Sequence, residues 1–324
     1  MGQKRILVAG AGGFIGGWLV GNLLKDSNNE VVSVDIKPKS EWYQTFSSAA
    51  EVVSDLRDNR NVDKVCEGID EIYNLAADMG GMGFIENNKA LCMMSVSINT
   101  NLLDSANRYG SSKFFYASSA CVYNQSLQKD PSNLGLKESD AYPADPEDGY
   151  GWEKLFSERM SRHFYEDFGL ETRVARFHNV YGPFGTYDGG REKAPAAICR
   201  KIAIAKISKK FEIEIWGDGE QSRSFTYIDD TIKGIDLLMN SSFRAPLNLG
   251  SNEMVTINQL VDIVEEIAQV KVYRNYNLRA PLGVRGRNSD NTLIKELFNW
   301  QPNVKLFEGL TKTYNWIYQE LSRS

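Results

Sequence analysis

The feature that most constrains the fold is a glycine-rich turn between a short apolar run and a helix-like segment. The run Ile6–Ala9 leads into Gly10-Ala-Gly-Gly13-Phe-Ile-Gly16, and Asp35 closes the next apolar run about 20 residues further on. Glycine at these positions lets the backbone approach a diphosphate, and a helix N-terminus offers free N–H groups. The pattern predicts a dinucleotide site. Its first contacts are expected at Gly10, Gly13, Phe14, Ile15 and Gly16.

The residues after the turn bear on which dinucleotide is bound. The Asp35 carboxylate can accept hydrogen bonds from both hydroxyls of an adenosine ribose and would repel a 2′-phosphate, so NAD is favoured over NADP. Lys37 and Lys39 lie close by in the chain and leave NADP open as the alternative. Asp55-Leu56 is expected at the adenine edge and Ala76 on the nicotinamide side, although ordinary strand-end residues would look the same.

Apolar runs alternate with amphipathic segments through the first half of the chain, which predicts an α/β fold with a doubly wound parallel sheet of the Rossmann type. The predicted strands are Ile6–Ala9, Glu30–Val34, Glu51–Val53, Glu71–Leu75, Lys113–Ala117 and Arg173–Phe177. After Asn179, segments rich in Gly and Pro predict a smaller, interleaved C-terminal lobe that binds substrate. The expected limits are 1–178 for the NAD-binding domain, with a returning segment near 222–248, and 179–221 with 249–324 for the smaller lobe.

Composition excludes several classes of function. The net charge of −5 over 324 residues argues against nucleic-acid binding, which needs a basic surface. No apolar run is long enough for a membrane span, and no signal peptide is expected before the first strand. The four cysteines lack the spacing of a disulfide framework or zinc site, and with two histidines no metal centre is expected. A reduced, cytoplasmic enzyme is the resulting expectation.

A second group of residues predicts alcohol–ketone redox chemistry. Tyr150 and Lys154 are four residues apart, so on a helix they project from one face, and an adjacent ammonium favours the phenolate form of a tyrosine. Ser119 follows a predicted strand and could hydrogen-bond the reacting oxygen. The spacing alone also occurs by chance on helix surfaces. Behind a dinucleotide fold, the catalytic interpretation is favoured.

The chain resembles the extended short-chain dehydrogenase/reductases that modify nucleotide sugars. The resemblance is carried by the glycine turn and by four further segments: Asn74-Leu-Ala-Ala77, Ser118-Ser-Ala-Cys-Val-Tyr123, Tyr150-Gly-Trp-Glu-Lys154 and Arg176-Phe-His-Asn-Val-Tyr-Gly-Pro183. It implies a bound NAD that is regenerated in each turnover, and a homodimer with helices near Leu91–Arg108 and Tyr150–Phe168 at its seam. The apolar positions of these helices could equally face the protomer's own core.

Three longer segments are similar to members of this family that invert a GDP-hexose at C3 and C5. They are Ala76-Ala-Asp-Met-Gly-Gly-Met-Gly83, Gly189-Gly-Arg-Glu-Lys-Ala-Pro-Ala-Ala197 and Val284-Arg-Gly-Arg-Asn-Ser-Asp290. This resemblance implies that Cys121 and Lys193 are the acid/base pair. Taken alone, Cys121 could be a buried small hydrophobe and Lys193 a solvated surface lysine.

The expected substrate is a GDP-sugar, whose diphosphate calls for guanidinium groups. The expected substrate contacts are Gly80, Ser119, Asn179, Glu192, Lys193, Arg223, Arg285 and Arg287. For each arginine, a surface salt bridge is the alternative. Two other functions stay open: a C4 epimerase or 4,6-dehydratase for another nucleotide sugar, and a non-catalytic protein that senses NAD. A dehydratase usually has an Asp-Glu pair where Ala120-Cys121 stands here, and a sensor would be expected to lose Ser119, Tyr150 or Lys154.

Overall fold

The computed structural model describes residues 3–132 and 135–323, and within these residues it contains fourteen strands. They are β1 Lys4–Ala9, β2 Asn29–Asp35, β3 Ala50–Val53, β4 Glu71–Asn74, β5 Lys113–Ser119, β6 Glu171–Phe177, β7 Val180–Tyr181, β8 Glu212–Trp216, β9 Ser222–Ser224, β10 Thr226–Tyr227, β11 Leu247–Leu249, β12 Met254–Thr256, β13 Tyr273–Asn277 and β14 Gly286–Arg287.

The same described residues form eleven α-helices. They are α1 Phe14–Leu23, α2 Asn59–Cys66, α3 Met82–Asn87, α4 Lys89–Met93, α5 Ser95–Tyr109, α6 Tyr150–Phe168, α7 Ala194–Ser208, α8 Ile228–Met239, α9 Ile257–Ala268, α10 Thr292–Phe298 and α11 Leu306–Arg323. Short 3₁₀ helices span Lys39–Glu41, Ala120–Val122, Gln125–Gln128 and Glu138–Ala141. None of the helices in the described part of the chain has the length and apolar character needed to cross a bilayer.

Seven parallel strands form the main sheet in the order β3-β2-β1-β4-β5-β6-β11. This confirms the predicted doubly wound α/β fold. The chain leaves β1 toward β2 and β3, then returns to the other side of β1 at β4 and continues outward. The change of direction lies between β1 and β4, and α/β sheets bind ligands at the carboxyl ends of the strands beside such a point.

Two apolar clusters cover the two faces of this sheet. In β1, Ile6 and Val8 belong to the larger cluster, whereas Leu7 and Ala9 belong to the smaller one. All four side chains are buried, as expected for a central parallel strand whose neighbours alternate between faces. The central strand is therefore packed on both faces up to the end where the glycine turn begins.

Smaller sheets lie beyond β6 in the chain: β12-β9-β14, β13-β8 and β10-β7. Their helices α7, α9 and α11 bury apolar side chains in the larger cluster, including Ile202, Val264 and Ile317. The parallel pairing of β9 with β14 sets Arg223 opposite Arg287. Two arginines far apart in the sequence are thus brought side by side.

Candidate active site

The glycine turn forms a tight cradle at the end of β1. Gly10 has a φ of +83°, which favours glycine, and a Cβ at Gly16 would lie 2.1 Å from the Gly10 carbonyl oxygen. Helix α1 begins at Phe14, and no side chain caps its N-terminus at Gly13. The first N–H groups of α1 thus remain available for a diphosphate, and the residues present fit a bound dinucleotide.

The surroundings of Asp35 favour NAD. The Asp35 side chain is buried at the end of β2 and accepts a hydrogen bond from the Lys37 N–H at 3.0 Å. The Lys37 ammonium donates to the Gly12 carbonyl at 2.5 Å, and Lys39 lies 3.5 Å from a Glu51 carboxylate oxygen. Both lysines that could have neutralised a 2′-phosphate therefore already have partners.

The remaining predicted cofactor residues lie at neighbouring strand ends. The Asp55 carboxylate forms an ion pair with Arg57 at 2.7 Å, and this hydrogen bonding lowers the pKa of Asp55. Leu56 is buried in the smaller apolar cluster, and the Ala76 N–H donates to the Asn74 side chain at 3.2 Å. In the protein alone, the polar groups of Asp55 and Ala76 are thus engaged within the chain, and Leu56 is a core residue.

Tyr150 opens α6 beside the end of β5, and Lys154 follows on the same helix, as the Tyr-x-x-x-Lys spacing predicts. A Cβ on the next residue, Gly151, would lie 2.4 Å from the Cys121 carbonyl oxygen, so this glycine lets the helix start touch the Cys121 segment. Burial raises the pKa of the Tyr150 phenol well above its ordinary value, while a hydrogen bond with Ser119 acts to lower it. The phenol therefore keeps its proton in the protein alone.

Lys154 is buried one turn further along α6. Its ammonium lies 3.4 Å from a Glu153 carboxylate oxygen, 4.8 Å from the ring centre of Tyr116 and 5.5 Å from that of Tyr150. Glu153 also accepts a hydrogen bond from the Tyr116 hydroxyl at 2.8 Å. The lysine thus faces Tyr150, and the neighbouring carboxylate holds it there.

Cys121 lies on the short 3₁₀ helix after β5, where its N–H donates to the Ser119 hydroxyl oxygen at 3.2 Å. The thiol is 7% exposed, and its sulfur accepts a hydrogen bond from Arg287 at 3.3 Å. Burial, followed by the negative charge of Glu147, raises the pKa of Cys121 to about 11, although Arg287 acts in the opposite direction. Cys121 is therefore a protonated thiol at neutral pH.

Lys193 directly precedes α7, where its side chain makes no capping hydrogen bond, and it lines the same cavity as Cys121. Burial lowers the pKa of its ammonium, and the charge of Arg287 lowers it further. The loop that carries Lys193 packs against the glycine-rich loop before α3: the Gly81 N–H donates to the Arg191 carbonyl at 3.0 Å, and a Cβ at Gly81 would lie 2.4 Å from the Glu192 carbonyl oxygen. The two loops close the site together.

Tyr150, Cys121 and Lys193 line one cavity of about 460 Å³, a size typical of small-molecule sites. Its lining brings together most of the predicted catalytic and substrate residues: Gly80, Ser119, Cys121, Tyr150, Asn179, Glu192, Lys193, Arg223 and Arg287. Arg285 is not in this lining and instead pairs with Asp218 at 3.0 Å. Trp216 lines the cavity, whereas Tyr181 is buried in the core and donates to the Leu306 carbonyl.

Two of the predicted arginines, Arg223 and Arg287, line the cavity. Arg287 contacts the Cys121 sulfur, and burial lowers the pKa of Arg223 to about 9. Arg223 donates to the carbonyls of Ser222 and Val284, which hold its guanidinium in the wall. Of the three arginines predicted to contact the diphosphate, Arg223 and Arg287 thus line the cavity, whereas Arg285 pairs with Asp218 outside its lining.

Sequence reasoning missed Glu147 and Lys201, which also line the cavity. Lys201 is eight residues after Lys193, about two helical turns along α7, and this spacing could have identified it. Glu147 precedes Tyr150 in an acidic loop and had no such signal. Among the described residues, no group of His, Cys, Asp and Glu side chains could hold a metal ion.

A dinucleotide cradle beside a Ser–Tyr–Lys set defines a Rossmann-fold redox enzyme of the short-chain dehydrogenase/reductase class. The chain belongs to the NAD dependent epimerase/dehydratase family, which residues 6–250 match, so its cofactor is NAD. It is 46% identical to GDP-mannose 3,5-epimerase of Arabidopsis thaliana over 98% of this chain and 83% of the relative. It is also 46% identical to GDP-mannose 3,5-epimerase 1 of Oryza sativa subsp. japonica over 99% and 83%, respectively.

Solved structures agree with this assignment. UDP-glucuronic acid 4-epimerase of Bacillus cereus, in complex with UDP-glucuronic acid and NAD, superimposes with a TM-score of 0.85 at 26% identity, covering 98% of this chain and 100% of that one. UDP-glucose 4-epimerase of Thermotoga maritima, with UDP-glucose, gives a TM-score of 0.87 at 25% identity and the same coverage. The family membership and the fold predicted from the sequence are both confirmed.

Proposed function

We propose that the protein epimerises GDP-mannose at C3 and C5, giving GDP-L-galactose, with GDP-L-gulose from inversion at C5 alone. One observation carries the proposal: Cys121 and Lys193 face the same cavity as Tyr150. Hydride transfer needs only the Ser–Tyr–Lys set, whereas inversion of a ring carbon needs an acid and a base in addition. The relatives' activity points to the same reaction.

The first requirement of this reaction is a ketone at C4, because only a neighbouring carbonyl makes the hydrogens on C3 and C5 acidic. Bound NAD supplies the acceptor for the C4 hydride and later returns it. Tyr150 takes the proton of the C4 hydroxyl, and Ser119 hydrogen-bonds the same oxygen. Tyr150 must be a phenolate to take this proton, and the Lys154 ammonium beside its ring favours that form, as would the positive nicotinamide ring of bound NAD.

The second requirement is proton transfer on opposite faces of the ring. Desolvation lowers the pKa of Lys193, which brings this amine closer to a base, and Cys121 carries a thiol proton that can be donated. Asn179 and Glu192 are proposed to hold sugar hydroxyls, Gly80 lets its loop lie over the hexose, and Arg223 neutralises the diphosphate. Arg285 would have to exchange its Asp218 partner for the substrate.

A single experiment separates this function from a C4 epimerase. Incubation of GDP-mannose with the enzyme in D₂O, followed by proton NMR, is expected to show deuterium at C3 and C5 with the C4 hydrogen retained. A C4 epimerase needs neither Cys121 nor Lys193 and would exchange the hydrogen of neither carbon. Absence of deuterium at both C3 and C5 would therefore refute the proposal. Tyr150→Phe should abolish the exchange while NAD binding persists, which a non-catalytic NAD sensor does not predict.

We also propose that the protein is a homodimer. Four large apolar side chains stand 44–52% exposed on α4, α6 and the residue after α4: Met93, Met94, Trp152 and Phe156. Trp152 and Phe156 are one turn apart, so they form one face of α6. Sedimentation should give twice the protomer mass, and Phe156→Glu should give monomers. An unchanged sedimentation coefficient in this variant would contradict the seam.

We also propose the domain limits and the cellular compartment that the sequence predicts. The NAD-binding domain comprises 1–178 with a returning segment near 222–248, and 179–221 with 249–324 form the smaller lobe. The pairing of β11 with β6 supports a return of the chain to the main sheet. All four cysteines are free and buried, which suits a reducing, cytoplasmic compartment. Neither nucleic acid nor membrane is a proposed partner.

A further inference from the structure

Glu147 is a buried carboxylate in the cavity that the proposed mechanism does not use. Its backbone N–H donates to the Cys121 carbonyl at 3.0 Å, so this residue is fixed directly against the segment that carries the thiol. One of its carboxylate oxygens, Oε2, is buried and has no hydrogen-bond partner. A buried carboxylate oxygen without a hydrogen bond is costly, which indicates that its charge serves the site.

Arg287 links this carboxylate to the thiol. Its Nη2 lies 3.6 Å from Glu147 Oε2, its Nη1 donates to the Cys121 sulfur at 3.3 Å, and its Nε donates to Gln128 at 2.6 Å. Gln128 is itself held by hydrogen bonds to the carbonyls of Tyr123 and Asn124. The guanidinium is therefore held in one orientation, with Nη1 at the sulfur and Nη2 near Glu147.

The charges around Cys121 are strongly unbalanced without Glu147. Three cationic side chains interact electrostatically with the Cys121 thiol: Arg287, Lys193 and Arg223. The acidic side chain that interacts with it is Glu147. The other groups facing it are neutral: the Ser119 hydroxyl, the Tyr150 phenol and the Cys92 thiol. Removing the carboxylate would leave the sulfur among cations, which favours a thiolate.

We propose that Glu147 is a positioning residue that holds the Arg287 guanidinium beside the Cys121 sulfur and balances its positive charge there. Cys121 then stays a thiol that can donate its proton to the ring, although an arginine touches it. Without the carboxylate, the same arginine would lower the pKa of the Cys121 thiol and increase the fraction of thiolate. The proton affinity of the donor thus depends in part on a residue that does not itself transfer a proton to substrate.

The test is the pH dependence of Cys121 alkylation by iodoacetamide, followed by mass spectrometry of the Cys121 peptide. Only the thiolate reacts, so the midpoint reports the thiol pKa without substrate or turnover. In Glu147→Gln we expect the midpoint to fall by about one pH unit or more, with alkylation at pH 8 about tenfold faster. Asp148→Asn is the matched control, because Asp148 is the next residue, is exposed and pairs with Lys89 at 2.9 Å.

An equal midpoint in Glu147→Gln and Asp148→Asn would overturn the proposal. Folding of Glu147→Gln is checked by near-ultraviolet circular dichroism. If this variant does not fold, Glu147→Asp is measured in its place, because it keeps the negative charge but moves it away by one methylene. A smaller shift of the same sign is expected there, and a midpoint equal to that of the unmodified protein would again overturn it.

A second readout rests on the proposed function. The alkaline limb of the pH profile for deuterium incorporation should move down by the same amount in Glu147→Gln, with little change in KM. If the unmodified enzyme incorporates no deuterium, the proposed function fails while the alkylation result still decides the role of Glu147. If it incorporates deuterium and the limb does not move, the positioning role is refuted.

Discussion

Gly151 sets how closely the start of α6, with Tyr150, approaches the Cys121 segment, and adding a methyl group there should measurably lower turnover. A Cβ at this position would lie 2.4 Å from the Cys121 carbonyl oxygen and 3.1 Å from the Cβ atoms of Pro146 and Glu147. Ordinary contact begins at 3.4 Å, so Gly151→Ala requires the start of α6 to withdraw by about 1 Å. Tyr150 is the neighbouring residue and must move with it. A displacement of this size typically lowers the rate about 100-fold.

The rate is measured as deuterium incorporation into GDP-mannose at saturating substrate, with NAD binding measured separately by fluorescence. The matched control is Gly169→Ala at the other end of the same helix, where φ is +77° and no atom lies within 4 Å of the new Cβ. This control is expected to lose about 1 kcal/mol of stability through backbone strain alone and to keep its turnover number. A Gly151→Ala enzyme within threefold of the unmodified rate would refute the geometric argument.

Three further substitutions test the core and the site. Glu158→Gln strips the buried Arg176 of its counter-charge, 2.7 Å away, and should lower the free energy of unfolding in urea by about 3–5 kcal/mol; a loss below about 1 kcal/mol would contradict this. Burial lowers the pKa of His178 to about 3 from 6.5, so stability should be lost as pH falls from 6.5 toward 3, by up to about 1.4 kcal/mol per unit. His178→Gln should flatten that slope in urea titrations at pH 7 and 5, and an unchanged slope would exclude His178 as its source. Lys193→Arg, whose pKa is too high for a base, should reduce deuterium incorporation at least 100-fold with NAD binding intact, and near-normal exchange would rule out Lys193 as the base.

Local sequence patterns predicted the elements that carry the cofactor. The run Ile6–Ala9 and its glycine turn became β1 and the start of α1, and the Tyr150–Lys154 spacing lies on α6. The six predicted strands were found, with β5 extending two residues further than expected, to Ser119. These features depend on neighbours in the chain, through backbone propensity and the alternation of buried faces.

The seventh strand of the main sheet had no comparable signal. β11 has only three residues, Leu247–Leu249, too few for a periodic pattern, and it is a strand because its backbone pairs with β6. The segment near 222–248 was expected to return to the first domain, but its place at the edge of the sheet could not be read from composition. Pairing partners so distant in sequence are selected by packing, which no local window contains.

What the sequence by itself determined is the fold class and the NAD cradle, and it predicted which side chains react. What only the tertiary structure decided is their chemical state. Arg287 lies 166 residues from the Cys121 sulfur that it contacts, and Arg285, which the sequence treated as its equivalent, pairs with Asp218 outside the cavity. The proton affinity of a thiol or an amine depends on burial and on charges within a few ångströms, and folding brings both from remote parts of the chain.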